Sequence, residues 1–204
     1  LTDSSAASDV YKRQISNKIN FGQQRSGVLS NQKWNELLGT AKEGKIISKF
    51  LNADLLMQEN ATSIAIQKVN SPKILHIASH SYFIANEDEK NPLLRSGIVL
   101  AGANNSNLNN SDDGYLTALE ITRLNWAGTE LVVISGCESG KGESQSGEGV
   151  FGLKRSISVA GASSSLLSIW KVDDAGTARF MESFYKKLIE GQSKADALKN
   201  TQQE

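Results

Sequence analysis

Four short apolar runs, at residues 73–80, 96–101, 131–137 and 163–170, are spaced along this chain with helical patterns between them. Runs rich in Val, Ile and Leu and bounded by Gly or polar residues read as buried strands, those at 73–80 and 131–137 as strands of a parallel sheet. Between them, residues 41–52 carry Ile46, Ile47, Phe50 and Leu51 as a stripe at helical spacing, and 59–69 form a second helical pattern that breaks at Pro72. Thr117 and Glu120 have capping-box spacing, and the helix they start is expected to run to Trp126 and stop at Gly128. Val150, Leu153 and Ile157 share a helix face that Gly161 ends. Thr177, Phe180, Met181, Phe184 and Leu188 mark the core side of a helix that starts at Asp173–Asp174 and ends at Gly191, and Ser193 to Asp196 opens another. Strands that alternate with helices predict an α/β layered fold.

Two stretches break the pattern. Residues 102–114 are so rich in Asn, Ser, Asp and Gly that they read as a long exposed loop, most simply slack. Residues 1–14 have no hydrophobic period and resemble translated sequencing-adapter sequence or a disordered linker, so the domain is expected over 15–204. A start without Met and a stop at Glu204 within a helical pattern point to a piece of a longer protein, truncated at its C-terminus.

Composition narrows the function. With 22 basic and 22 acidic residues the formal charge is zero, so no basic field draws nucleic acid or anionic lipid. No apolar stretch approaches the ~20 residues of a membrane helix. A single cysteine makes no internal disulfide, which fits a reducing compartment and a cytoplasmic location.

The chemistry lies at the ends of two apolar runs. The run 131–137 closes on Cys137, the only cysteine, and 73–80 closes on His80, one of two histidines. A lone cysteine is most often a small buried hydrophobe. Cys137, however, follows Gly136 and opens a glycine- and serine-rich loop, and loops at strand ends carry function more often than strands do. His76 lies inside its strand and reads as a satisfied core histidine. His76 and His80 are too far apart on a strand, ~13 Å, to share a metal ion, and no cysteine or acidic cluster completes a ligand set, so no metal or other cofactor is expected. The stretch Gly136 to Gly142 has the wrong glycine spacing for a phosphate-binding loop, and its serine is misplaced for a nucleophile elbow.

What remains is a histidine 57 positions before a cysteine (137 − 80), the order and scale found in caspases. The segments 74–80 and 131–140, with 147–153, 160–162 and 167–174, resemble in order the motifs of the CHAT domain, over roughly residues 37–203. These are caspase-like cysteine peptidase domains related to separase and often joined to tetratricopeptide repeats. The resemblance implies a caspase-like α/β/α fold with a mostly parallel central sheet flanked by helices. It implies His80 as catalytic histidine, Cys137 as nucleophile, and backbone N–H groups of Ser81 and Cys137 as the oxyanion hole. The family usually has glycine where Ser81 stands, and a positive φ there would cost serine about 1–2 kcal/mol. Asp174, with Asp173 in reserve, aligns with an acidic pocket position that selects Arg or Lys; helix capping is the duller role for either.

The activity so implied is a cysteine endopeptidase acting on proteins or peptides after a basic residue, with an N-terminal tetratricopeptide-repeat region as companion. Its rival is a non-catalytic caspase-like interaction module, which would need neither Cys137 nor His80. A third reading is a Rossmann-like small-molecule hydrolase.

Overall fold

The computed structural model describes residues 29, 32–84, 91, 93–105, 113–136, 146–168 and 174–204, without the side chains of 146–150 and 174. The chain divides into two compact units, Leu1–Lys33 and Trp34–Glu204. The second holds all the elements that follow, whereas residues 1–14 lie outside the described residues.

The second unit is built around strand β5 (Leu131–Ile134), which pairs in parallel with β1 (Ile74–Ile77) on one side and β6 (Ser165–Leu167) on the other. All four β5 residues are buried, as a central strand covered on both faces requires. Val132 and Ile134 face one core, shared with Ile66, Ile77, Ile121, Trp126, Leu153 and Ile157. Leu131 and Val133 face another, shared with Ile47, Met181, Phe184, Tyr185 and Ala197. On the first face lie α2 (Ser63–Gln67), α3 (Ala118–Ile121) and α4 (Ser146–Val159); on the second lie α1 (Leu38–Leu51), α5 (Asp174–Ile189) and α6 (Lys194–Gln202). The result is a helix–sheet–helix sandwich.

A second sheet departs from the sequence expectation. The run at 96–101 forms β3 (Ser96–Val99), which stays out of the parallel sheet and pairs antiparallel with β2 (Ser81–Phe83) and β4 (Tyr115–Thr117). Two of its strands have three residues each, too short for an alternating pattern to register. β2 follows β1 with only 78–80 between them, so the chain passes from one sheet to the other at His80.

Helix ends follow local chemistry. The Thr117 side chain accepts from Glu120 N while the Glu120 carboxylate accepts from Thr117 N, the expected capping box. The helix it opens stops after four residues at Ile121, well short of Trp126, because the indole is buried in the core and the Trp126 backbone N–H leaves the helical pattern to donate to Ala160 O. Ser193 caps α6 through Asp196 N, as expected. Gly161 closes α4 at φ +105°, where a side chain would also meet Ala127. Residues 59–69 split into a 3-10 turn (Gln58–Asn60) and α2. Helix α1 begins at Leu38, and of its expected stripe only Ile47 is fully buried; Phe50 is exposed and Glu43 takes a buried place instead.

Because neighbouring β5 residues face opposite cores, Val132→Ala and Val133→Ala should each cost about 2 kcal/mol or more of unfolding free energy, read from urea titrations. In a sheet covered on one face only, one of the two would be nearly silent.

Candidate functional site

β1 and β5 run side by side in register, with Ile77 opposite Ile134. His80 and Cys137 each stand three residues beyond that pair. The strands stay together past their ladder: Ser135 N donates to Ile77 O, and Gly136 packs so tightly that a methyl group on it would lie 1.8 Å from Ser79 O and 3.5 Å from Ser81 N. Only glycine fits there. Cys137 itself lies outside the described residues, so the structure describes the approach to the thiol and not the thiol.

His80 is half-buried and held from two sides. Its Nε2 lies 2.7 Å from the Asn35 carbonyl, and its ring meets the Trp34 indole with centroids 5.3 Å apart at 41°. A carbonyl only accepts, so Nε2 carries the proton, and in the neutral ring Nδ1 is left as the basic nitrogen. Trp34 is fixed in turn: its backbone N donates to Asn104 Oδ1, its carbonyl accepts from Asn104 Nδ2, and its Nε1 donates to Tyr115 OH at 2.9 Å.

Ser81 belongs to β2, and its backbone φ is not positive, so serine replaces glycine there without strain. Val99 N donates to His80 O, and Ile84 N to Arg95 O. In an antiparallel ladder this alternation makes Ser81–Ile98 a non-hydrogen-bonded pair. The Ser81 N–H therefore points away from β3, on the side where Gly136 packs.

Beneath these tips lies a buried polar cluster. Glu43 Oε1 on α1 accepts from Ser135 Oγ at 2.5 Å and lies 2.7 Å from His76 Nε2, while His76 Nδ1 is 3.1 Å from Tyr185 OH. His76 is the satisfied interior histidine its position suggested. Burial, then the nearby Glu43 charge, pushes the Tyr185 phenol well above its ordinary value of 10.0, so its hydroxyl stays a donor.

Alongside His80 opens a cleft of about 670 Å³, walled by Trp34, Ala65, Ile66, Leu75, Leu100 and Asn104. Among the described residues that line it, the acidic ones are Glu36 and Asp54. Helix α5 begins at Asp174, as expected, but the Asp174 side chain and all of Asp173 lie outside the described residues. No group of three His, Cys, Asp or Glu among the described residues is placed to hold a metal ion, and no helix among them is long and apolar enough to cross a membrane.

Sequence reasoning located His80, Ser81 and Gly136 but missed Trp34, Asn35, Glu43, Ser135 and Tyr185. An acid at position 43, four residues before Ile47, does stand on the apolar stripe of α1. That signal was available. An Asn35 backbone carbonyl leaves no trace in sequence.

An α/β/α sandwich that brings a histidine to the tip of one parallel strand, beside the neighbour that leads to the only cysteine, has the architecture of caspase-like domains. The CHAT domain model matches residues 1–204, and the chain belongs to that family, a caspase-like family often related to peptidases. No curated protein matches the chain.

Two outcomes test this geometry. Gly136→Ala should cost about 3 kcal/mol in urea unfolding, because the added methyl meets a backbone oxygen that has no room to move. The tyrosines govern the alkaline limit. Burial also raises the Tyr115 phenol, an effect that the Trp34 hydrogen bond partly offsets and the Asp113 charge reinforces. Below pH 10.0, the ordinary value, both phenols are protonated whether the chain is folded or not. Above it the unfolded chain ionises first, so stability falls until the folded phenols ionise too. Urea midpoints should therefore drop above pH ~10, and less steeply in Tyr185→Phe.

Proposed function

We propose that this domain is a cysteine endopeptidase in which His80 and Cys137 form the catalytic dyad, cleaving proteins or peptides after Arg or Lys. The observation that carries the reading is the contact of Gly136 with Ser79, which keeps the two strand tips together at the residues directly before Cys137 and His80. A strand pair that merely packs a core has no need of so close an approach at its polar end.

In this mechanism the Asn35 carbonyl holds Nε2–H, and His80 Nδ1 takes the proton from the Cys137 thiol. The thiolate, more abundant than at a free-thiol pKa of ~8.5, attacks the peptide carbonyl. The developing oxyanion is met by the Ser81 and Cys137 backbone N–H groups, each donor worth about 3–4 kcal/mol by analogy with other acyl-transfer enzymes. His80 returns the proton to the leaving amine, and water then hydrolyses the thioester. The chemistry needs no cofactor. Asp174, with Asp173 beside it, would pair with the basic side chain before the scissile bond, and the acidic lining at Glu36 and Asp54 favours the same charge. A tetratricopeptide-repeat region in a longer parent polypeptide and a cytoplasmic location complete the proposal.

Fluorogenic peptides ending in Arg or Glu before the reporter group test it. The wild-type chain should hydrolyse the Arg peptide preferentially; Cys137→Ala should abolish turnover and His80→Ala should lower it about 10²–10⁴-fold. Asp174→Asn should erode the Arg preference more than the turnover of an uncharged peptide. Hydrolysis that survives Cys137→Ala would overturn the dyad, whereas a folded wild-type chain that cleaves neither peptide and resists a peptidyl electrophile would favour the non-catalytic interaction module.

A further inference from the structure

Glu43 is the one acidic side chain among the buried residues of the described core, at 1 % exposure, and the proposed chemistry does not use it. Its Oε1 takes the Ser135 hydroxyl and faces the His76 ring, and its Oε2 is buried with no hydrogen-bond partner among the described residues. A carboxylate placed so is a poor source of stability: apolar side chains of similar volume commonly replace buried ionic groups without loss. Its value lies in the geometry it imposes.

That geometry leads to the site from three directions. Ser135 stands just past the end of β5, two residues before Cys137, and His76 lies on β1, four residues before His80. Helix α1, which carries Glu43, follows directly on the segment whose Trp34 and Asn35 grip the His80 ring. Glu43 and Ile47 are the buried residues of α1, while Leu38 at its start is 81 % exposed. Apolar contact, here Ile47 and the half-buried Leu51 against the core that α5 shares, is non-directional and fixes a helix's rotation less sharply than hydrogen bonds do. A carboxylate oxygen shared by donors from β1 and from the end of β5 does fix it, because hydrogen bonds to a charged acceptor are short and directional.

We propose that Glu43 is a positioning residue: by latching α1 to His76 and Ser135 it sets where the Asn35 carbonyl and the Trp34 indole lie, and so orients His80. The proposal rests on the reading of His80 as the catalytic base, but its first readout does not require turnover. The chain has two histidines, so ¹³C-labelled imidazole signals assign readily. In the Cys137→Ala background the His80 ring protons should be shifted by the Trp34 indole. Glu43→Leu should return them at least halfway to free-imidazole positions while the urea midpoint stays level or rises, and Glu43→Gln, which keeps an acceptor oxygen, should retain most of the shift. With Cys137 present, Glu43→Leu should lower kcat 10-fold or more with little change in KM, and Glu43→Gln should recover most of that loss.

Unchanged His80 signals in Glu43→Leu overturn the proposal, and so does a kcat loss that appears only in step with a lowered urea midpoint. Should Glu43→Leu fail to fold, Ser135→Ala decides: it removes one of the two donors, and an unmoved His80 ring overturns the proposal. If the ring moves as expected but no variant, wild type included, cleaves peptide, the positioning role stands and the peptidase reading falls.

Discussion

The proposed chemistry of this domain depends on how closely two parallel strands approach at their carboxyl ends. Most parallel pairs splay after the last ladder bond, since their chains leave for different helices. Here Ser135 N reaches back to Ile77 O, and Gly136 lies against Ser79 O at a distance no side chain could share. The pairing extends by two residues without a regular ladder. Those two residues bring Ser79 and Gly136, directly before His80 and Cys137, into contact.

The remainder of the unit serves that approach. β5 is buried on both faces, so its position is set by two separate cores and not by one. β2 departs from β1 immediately after His80 and is clamped to β3, which prevents the histidine backbone from following β1 onward. The same departure turns the Ser81 N–H away from β3. From the other side, the Trp34–Asn35 segment closes over the imidazole, itself secured by Asn104 and Tyr115 from the second sheet. Two sheets, joined at residues 78–80, thus meet on one ring. Beneath it the Glu43–His76–Ser135–Tyr185 cluster ties α1 and α5 to β1 and to the end of β5, adding directional bonds to apolar contact.

How the residues could be read before the fold was known varied with the range of the interaction. Runs 73–80 and 131–137 announced themselves because a strand covered on both faces must be apolar throughout. The box at Thr117 and Glu120 and the cap at Ser193 were legible because both partners lie within one turn. The family motifs picked out His80 and Ser81 on the same local footing. By contrast, β2 and β4 were invisible, since three residues hold too little alternation, and the short helix after Thr117 was overestimated because its end is set by the burial of Trp126.

Sequence by itself determined the layer order, the two parallel strands that lead to His80 and Cys137 and the residue types at their tips, for these follow from local periodicity and from motifs a few residues long. Tertiary structure alone decided that Asn35 O and not a carboxylate faces His80, that Glu43 lies inside rather than in water, and that β3 joins a separate sheet. The physical reason is common to all three. Each depends on groups dozens of residues apart, several of them backbone atoms that every residue possesses, and composition carries no record of which of those meet.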